Sequence, residues 1–137
     1  MGMIHTEITL INAMDEGFAK GGYIKDEEIR TETVTAVVDT GAMSLVITEE
    51  LFQKLGLTIE GEKIVRTANG QRVHCKITSG INIFWKDRDM LVRALLVPGA
   101  EEVLLGVIPL EGLDLMVNPV TQELVGAHGD EVEYIIY

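Results

Sequence analysis

Cysteine occurs once in the 137 residues, at Cys75. An intrachain disulfide is therefore impossible, and the chain reads as one suited to a reducing, cytoplasmic setting. Basic side chains are also few, 11 against 22 acidic ones, for a formal net charge of −11. That balance repels a phosphate backbone or an anionic lipid surface at long range, which argues against nucleic-acid and membrane partners. Long apolar runs are missing too. The longest, around V-L-L-G-V-I-P-L, falls far short of the roughly 20 residues that span a bilayer. The opening M-G-M-I-H-T-E-I-T-L lacks the basic-then-apolar pattern of an export signal. Gly2 with Thr6 fits the loose N-myristoylation pattern only formally. His5, His74 and His128 are scattered, and His74 and Cys75 point to opposite faces of one strand, so neither a metal site nor a Cys-His dyad is written locally. Cys75 reads as a core residue. With no Gly-rich phosphate loop either, no metal and no cofactor is expected.

What the chain does have is apolar content, 47% of its residues, enough to offset the entropy lost on folding. Its length suits one domain, residues 1–137, around one core. The dominant period is two. Ile4, Thr6, Ile8 and Leu10 share one face of a half-buried strand, and β-branched residues crowd R-T-E-T-V-T-A-V-V at 30–38, a second strand. Asn69-Gly70 lies between two alternating runs and predicts a β-hairpin with a type I′ turn at its tip. I-N-I-F-W, a loop at Lys86 to Asp89, and M-L-V-R-A-L-L-V predict another, ended by Pro98-Gly99, and V-E-Y-I-I-Y a last short strand. Helix is scarce. T-E-E-L-F-Q-K-L-G is the best candidate, with Thr48 as N-cap, Glu49 and Glu50 in the first turn, Lys54 near the end and Gly56 as the stop. A shorter helical turn is expected in V-I-P-L-E-G-L after Gly106. The sum is a small, all-β, mainly antiparallel domain with one or two short helices.

One charge stands out in this pattern. In T-A-V-V-D-T-G-A-M-S-L-V-I, Asp39 follows an apolar strand and precedes a small, turn-prone Thr-Gly-Ala. An Asp before Thr-Gly serves naturally as a turn cap, and alone it says no more than that. A second apolar-apolar-Gly element, Leu104-Leu105-Gly106, ends 106 − 39 = 67 positions later. Glu27-Glu28 and Glu101-Glu102 read as solvated faces or turns rather than catalytic carboxylates.

In the order of these elements the sequence resembles the retropepsin-like aspartic proteases. The matching residues are Val37-Val38 before Asp39-Thr40-Gly41-Ala42, the hairpin with Ala68, Asn69 and Gly70 at its tip, and Leu104-Leu105-Gly106 before a short helix. The similarity covers about residues 30 to 117 and looks more like the small prokaryotic members than the viral enzymes. It implies a closed or partly closed antiparallel β-barrel with a β-hairpin flap, and an aspartic endopeptidase acting on peptides or proteins. Acid proteolysis of this kind needs two carboxylates about 3 Å apart sharing one proton. The chain holds a single D-T-G, so the second Asp39 would come from another copy in a homodimer. By the same resemblance, Thr40, Gly41 and Ala42 support the catalytic loop, Ala68, Asn69 and Gly70 close over substrate, and Leu104, Leu105 and Gly106 brace the loop from behind. The chain departs from the viral pattern at Met43, where those enzymes carry an acidic residue, and at Val107, where they carry an arginine. Their polar bracing is thus absent. Two rival readings are a non-catalytic module of the same fold that dimerises or binds peptide, and a monomeric barrel holding an apolar ligand.

Overall fold

In the computed structural model, which describes residues 3–129, nine strands and three α-helices follow one another. The strands are β1 (Ile4–Asn12), β2 (Thr31–Val38), β3 (Leu45–Ile47), β4 (Ile59–Arg66), β5 (Arg72–Trp85), β6 (Arg88–Leu96), β7 (Val103–Leu105), β8 (Leu115–Asn118) and β9 (Glu123–Gly126). The helices are α1 (Ala13–Lys20), α2 (Glu49–Lys54) and α3 (Val107–Gly112). Seven strands form one sheet in the order β1-β2-β7-β3-β6-β5-β4, and β1 also pairs with β5. That extra pairing, Thr9–Asn12 against Ile81–Phe84, closes six strands into a barrel and leaves β4 outside it. The pairings are mainly antiparallel, while β2–β7 and β3–β6 run parallel. The expected strand V-E-Y-I-I-Y lies outside the described residues.

Alternation decides what fills the barrel. Ile8 and Leu10 of β1, Ala36 of β2, Leu45 and Ile47 of β3, Ile81 and Ile83 of β5 and Leu105 of β7 are each at most 1% exposed and join one core cluster. α2 closes one end of it with Leu51 and Leu55. This helix forms as its sequence predicts: the Thr48 hydroxyl accepts from Leu51 N–H at 3.2 Å, and Gly56 takes the left-handed φ of +61° that stops it.

Two local expectations need correction. The hairpin of β4 and β5 turns at Asn69-Gly70, but not by a type I′ turn: only Gly70, at φ +84°, is left-handed. Gly70 N–H donates to Thr67 carbonyl at 2.9 Å and Thr67 N–H to Gln71 carbonyl at 2.8 Å, which makes a three-residue loop, Ala68 to Gly70. The loop placed at Lys86 to Asp89 is shorter, because Trp85 pairs with Arg88 and leaves only Lys86 and Asp87 unpaired.

The segment between β1 and β2 carries α1, which strand periodicity does not announce. Asn12 caps it by accepting from Asp15 N–H at 3.0 Å, and the Asn12 amide reaches on to Leu55 carbonyl at 2.8 Å. Asp15, 4% exposed, accepts Arg30 Nε at 2.9 Å, Nη2 at 2.9 Å and N–H at 3.0 Å. These bonds to Arg30 hold the Asp15 carboxyl below its ordinary value, against burial, which acts the other way. The depressed value means that the pair stabilises fully above the unfolded pKa of about 3.9, and the contribution fades as pH falls through the lower native value. Asp15→Ala should cost about 1.5–3 kcal/mol in urea unfolding at pH 7. The gap from wild type should narrow as the buffer is acidified below that pKa, and a gap independent of pH would show that the ion pair contributes nothing.

Candidate active site

β2 carries the chain from the core to Asp39, whose N–H donates to Leu105 carbonyl at 3.0 Å and so continues the β2–β7 ladder past its last paired residues. The loop then doubles back, with Ala42 N–H donating to Asp39 carbonyl at 3.1 Å and Gly41 N–H to Asp39 Oδ1 at 2.9 Å. A Cβ on Gly41 would stand 3.2 Å from that oxygen, so a side chain there would press on the carboxylate. Asp39 Oδ2 has no hydrogen bond among the described residues, and the half-buried carboxylate presents it outward. Thr40 is exposed and Ala42 half-buried.

The loop is held from behind by backbone. Gly106 N–H donates to Ser44 carbonyl at 3.1 Å, Val107 N–H to Ala42 carbonyl at 2.9 Å and Ile108 N–H to Met43 carbonyl at 2.8 Å. The approach is so close that a Cβ on Gly106 would fall 2.5 Å from Ser44 carbonyl and 2.6 Å from Ala42 carbonyl. Gly106 is thus needed for space, since its φ of −89° is ordinary. Leu105 beside it is fully buried in the core. Asp39, Gly41, Ala42 and Gly106 therefore come together in one hydrogen-bonded unit. Ala68, Asn69 and Gly70 lie apart from it, exposed at the hairpin tip.

Register reveals a grouping of side chains that sequence reasoning missed. Val37 pairs with Leu104, Leu104 with Val46, and Val46 with Leu95, so these four side chains share the face opposite the core. Val37 and Val46 are 2% and 7% exposed, yet neither belongs to the core cluster. Asp39, two positions beyond Val37, continues this row. Its signal in the sequence is the absence of alternation in A-V-V, L-V-I and V-L-L, as expected of strands apolar on both faces. Two large apolar side chains flank the loop in the open, Met43 at 66% and Ile108 at 44% exposure. Asp39 lines none of four surface clefts of about 320 to 860 Å³.

A closed six-strand barrel with an aspartate-bearing loop laid against the start of a short helix is a retropepsin-like fold. Comparison with solved structures agrees. EIAV protease complexed with the inhibitor HBY-793 superposes with a TM-score of 0.55 over 82% of this chain and 88% of that one, at 21% identity. The profile of the family described as gag-polyprotein putative aspartyl protease matches residues 26–112, and the chain belongs to that family of retropepsin-like aspartic proteases. No curated protein sequence matches.

The close approach at Gly106 has a direct check. Gly106→Ala should lower unfolding free energy by about 1–3 kcal/mol through overpacking. Wild-type stability in guanidinium titration would mean that the loop and the helix start are not pressed together in this way.

Proposed function

We propose that the protein is an aspartic endopeptidase that works as a homodimer, with Asp39 from each copy meeting across a two-fold axis. The observation that carries this reading is the Asp39 carboxylate itself: one oxygen is pinned by Gly41 N–H, the other is open, and the loop that holds them is braced by three backbone bonds. One chain supplies a single such carboxylate, and it lines none of those four clefts. A second copy supplies both the missing wall and the missing acid.

In the pair, like charges a few ångströms apart cannot both ionise, so the two carboxyls hold one proton between them. The ionised Asp39 takes a proton from a water as its oxygen attacks the scissile carbonyl carbon, while the partner's Asp39 donates its proton to the carbonyl oxygen. The resulting tetrahedral species collapses when the amine leaving group is protonated, with no acyl-enzyme. Thr40, exposed beside the carboxylate, bonds across the axis to the partner's loop, and the Ala68-Asn69-Gly70 tip folds over the peptide and excludes water. Leu104, Leu105 and Gly106 keep the loop in place from behind. The row of Val37, Leu104 and Val46 forms the wall beside the scissile bond and favours apolar substrate side chains. Met43 and Ile108, exposed in one chain, are covered by the second, which replaces polar bracing by apolar contact.

No helix among the described residues is long and apolar enough to cross a membrane. The buried thiol of Cys75, pushed up by desolvation, fits a reducing cytoplasm, where it needs no protection.

Peptide cleavage assayed for wild type and Asp39→Asn should differ by about a hundred- to ten-thousand-fold. Equal rates would remove Asp39 from the chemistry. If both are inert while the chain still dimerises and binds peptide, the non-catalytic module is the better reading. Activity should also peak on the acid side of neutrality and vanish as the shared proton is lost; a flat profile up to pH 9 contradicts a dyad.

A further inference from the structure

We propose that Arg66 and Arg72 bind acidic side chains of the peptide substrate, on either side of its apolar centre, so that peptides with Asp or Glu there are preferred. This rests on the protease reading and adds a substrate class to it. It starts from the charge of the β4–β5 hairpin. Residues 63–76, K-I-V-R-T-A-N-G-Q-R-V-H-C-K, carry four of the chain's 11 basic side chains and none of its 22 acidic ones. The rest of the chain therefore has a formal charge of −11 − 4 = −15, and the hairpin stands out from it as a segment that attracts anions.

Register sharpens this charge into a pair. Arg66 lies directly opposite Arg72, and both are exposed. The next position carries the ladder bond, from Thr67 N–H to Gln71 carbonyl at 2.8 Å. The two arginines thus form a non-hydrogen-bonded pair, the kind that brings side chains closest, with Cβ atoms about 4.5–5.5 Å apart. Like charges so placed destabilise a hairpin. The cost is offset when carboxylates come between the two guanidiniums, since each donates two parallel hydrogen bonds to such a group.

The place of the pair in the hairpin sets where on the peptide the acid lies. Val65 pairs with Val73, and Ile77 with Leu95, so Val65, Val73 and Ile77 share the face that continues, through Leu95, the apolar row beside Asp39. Val65 and Val73 are half-buried. When the tip folds over the peptide, this apolar face covers the residues at the scissile bond. Arg66 and Arg72, one position nearer the tip, belong to the opposite face, and their long side chains reach round the edges of the hairpin to residues further along the peptide. A homodimer has two such hairpins, hence one arginine pair for each side of the scissile bond.

The test is peptide binding to the Asp39→Asn protein, followed by fluorescence anisotropy, which reads preference without cleavage. Two labelled peptides share an apolar centre; one carries Glu a few residues to each side of it, the other Gln in the same places. The Glu peptide should bind about ten-fold more tightly in dilute buffer, a margin that shrinks as salt is added. Adding Arg66→Gln and Arg72→Gln should bring its affinity down to that of the Gln peptide, while Arg66→Lys with Arg72→Lys keeps part of the margin. The Gln variants should unfold in urea no earlier than their parent, since a like-charge pair is removed; earlier unfolding would make the arginines supports of the hairpin and overturn the proposal. Equal affinities for the two peptides, binding of neither, or a margin that survives the Gln substitutions would overturn it as well. Failure of the protease reading shows elsewhere, in equal cleavage by wild type and Asp39→Asn, so the two are told apart.

Discussion

Three backbone hydrogen bonds, from Gly106, Val107 and Ile108 to the carbonyls of Ser44, Ala42 and Met43, tie the two halves of the chain together at the point where chemistry is proposed. The loop that bears Asp39 would otherwise be a short exposed connection between β2 and β3. Backbone bonds suit this task because they bring no side-chain entropy cost and leave the carboxylate unshielded. They require that no side chain intervene, which is why the glycine is at 106. They also require β7 to lie between β2 and β3, as it does in the sheet. The core, the closure through β1 and β5, and the seating of α2 all serve to hold two short strands in register beneath one aspartate.

Much of this was legible in the sequence wherever the signal is local. Thr48, Glu49 and Gly56 announce a helix by capping chemistry, and Asn69-Gly70 announces a hairpin by the one residue that accepts positive φ. The type of turn was less legible, because an Asn before Gly is compatible with either a two- or a three-residue loop and the flanking pairing decides. α1 escaped notice since its support is distant: Asn12 caps it, but Arg30 and the end of α2 complete the cluster. The row of Val37, Leu104, Val46 and Leu95 was illegible for a related reason. Each residue sits in a short apolar run, and only the register of three separate pairings shows that they face together.

The departures from the viral pattern acquire a physical sense beside this geometry. At Met43 and Val107 the viral pattern has an acidic and a basic residue. Here the backbone bonds between the same two segments remain, and the side chains above them are apolar, with Met43 and Ile108 open in the single chain. Exchanging a charged pair for apolar contact is often close to neutral in free energy once desolvation is counted. In the proposed dimer, what changes is the character of the surface offered to a second copy: apolar and little affected by salt, where a charged one would be steered and screened.

In the proposed mechanism Asp39 acts only beside its own copy. Mixing wild type with a ninefold excess of Asp39→Asn chains, under conditions that let subunits exchange, tests it most directly. If every active unit needs two Asp39 carboxylates, activity per wild-type chain falls to about one tenth, the fraction of wild-type chains that still find a wild-type mate. Activity that stays proportional to the wild-type chains, whatever the excess, would contradict the account and make a single chain sufficient.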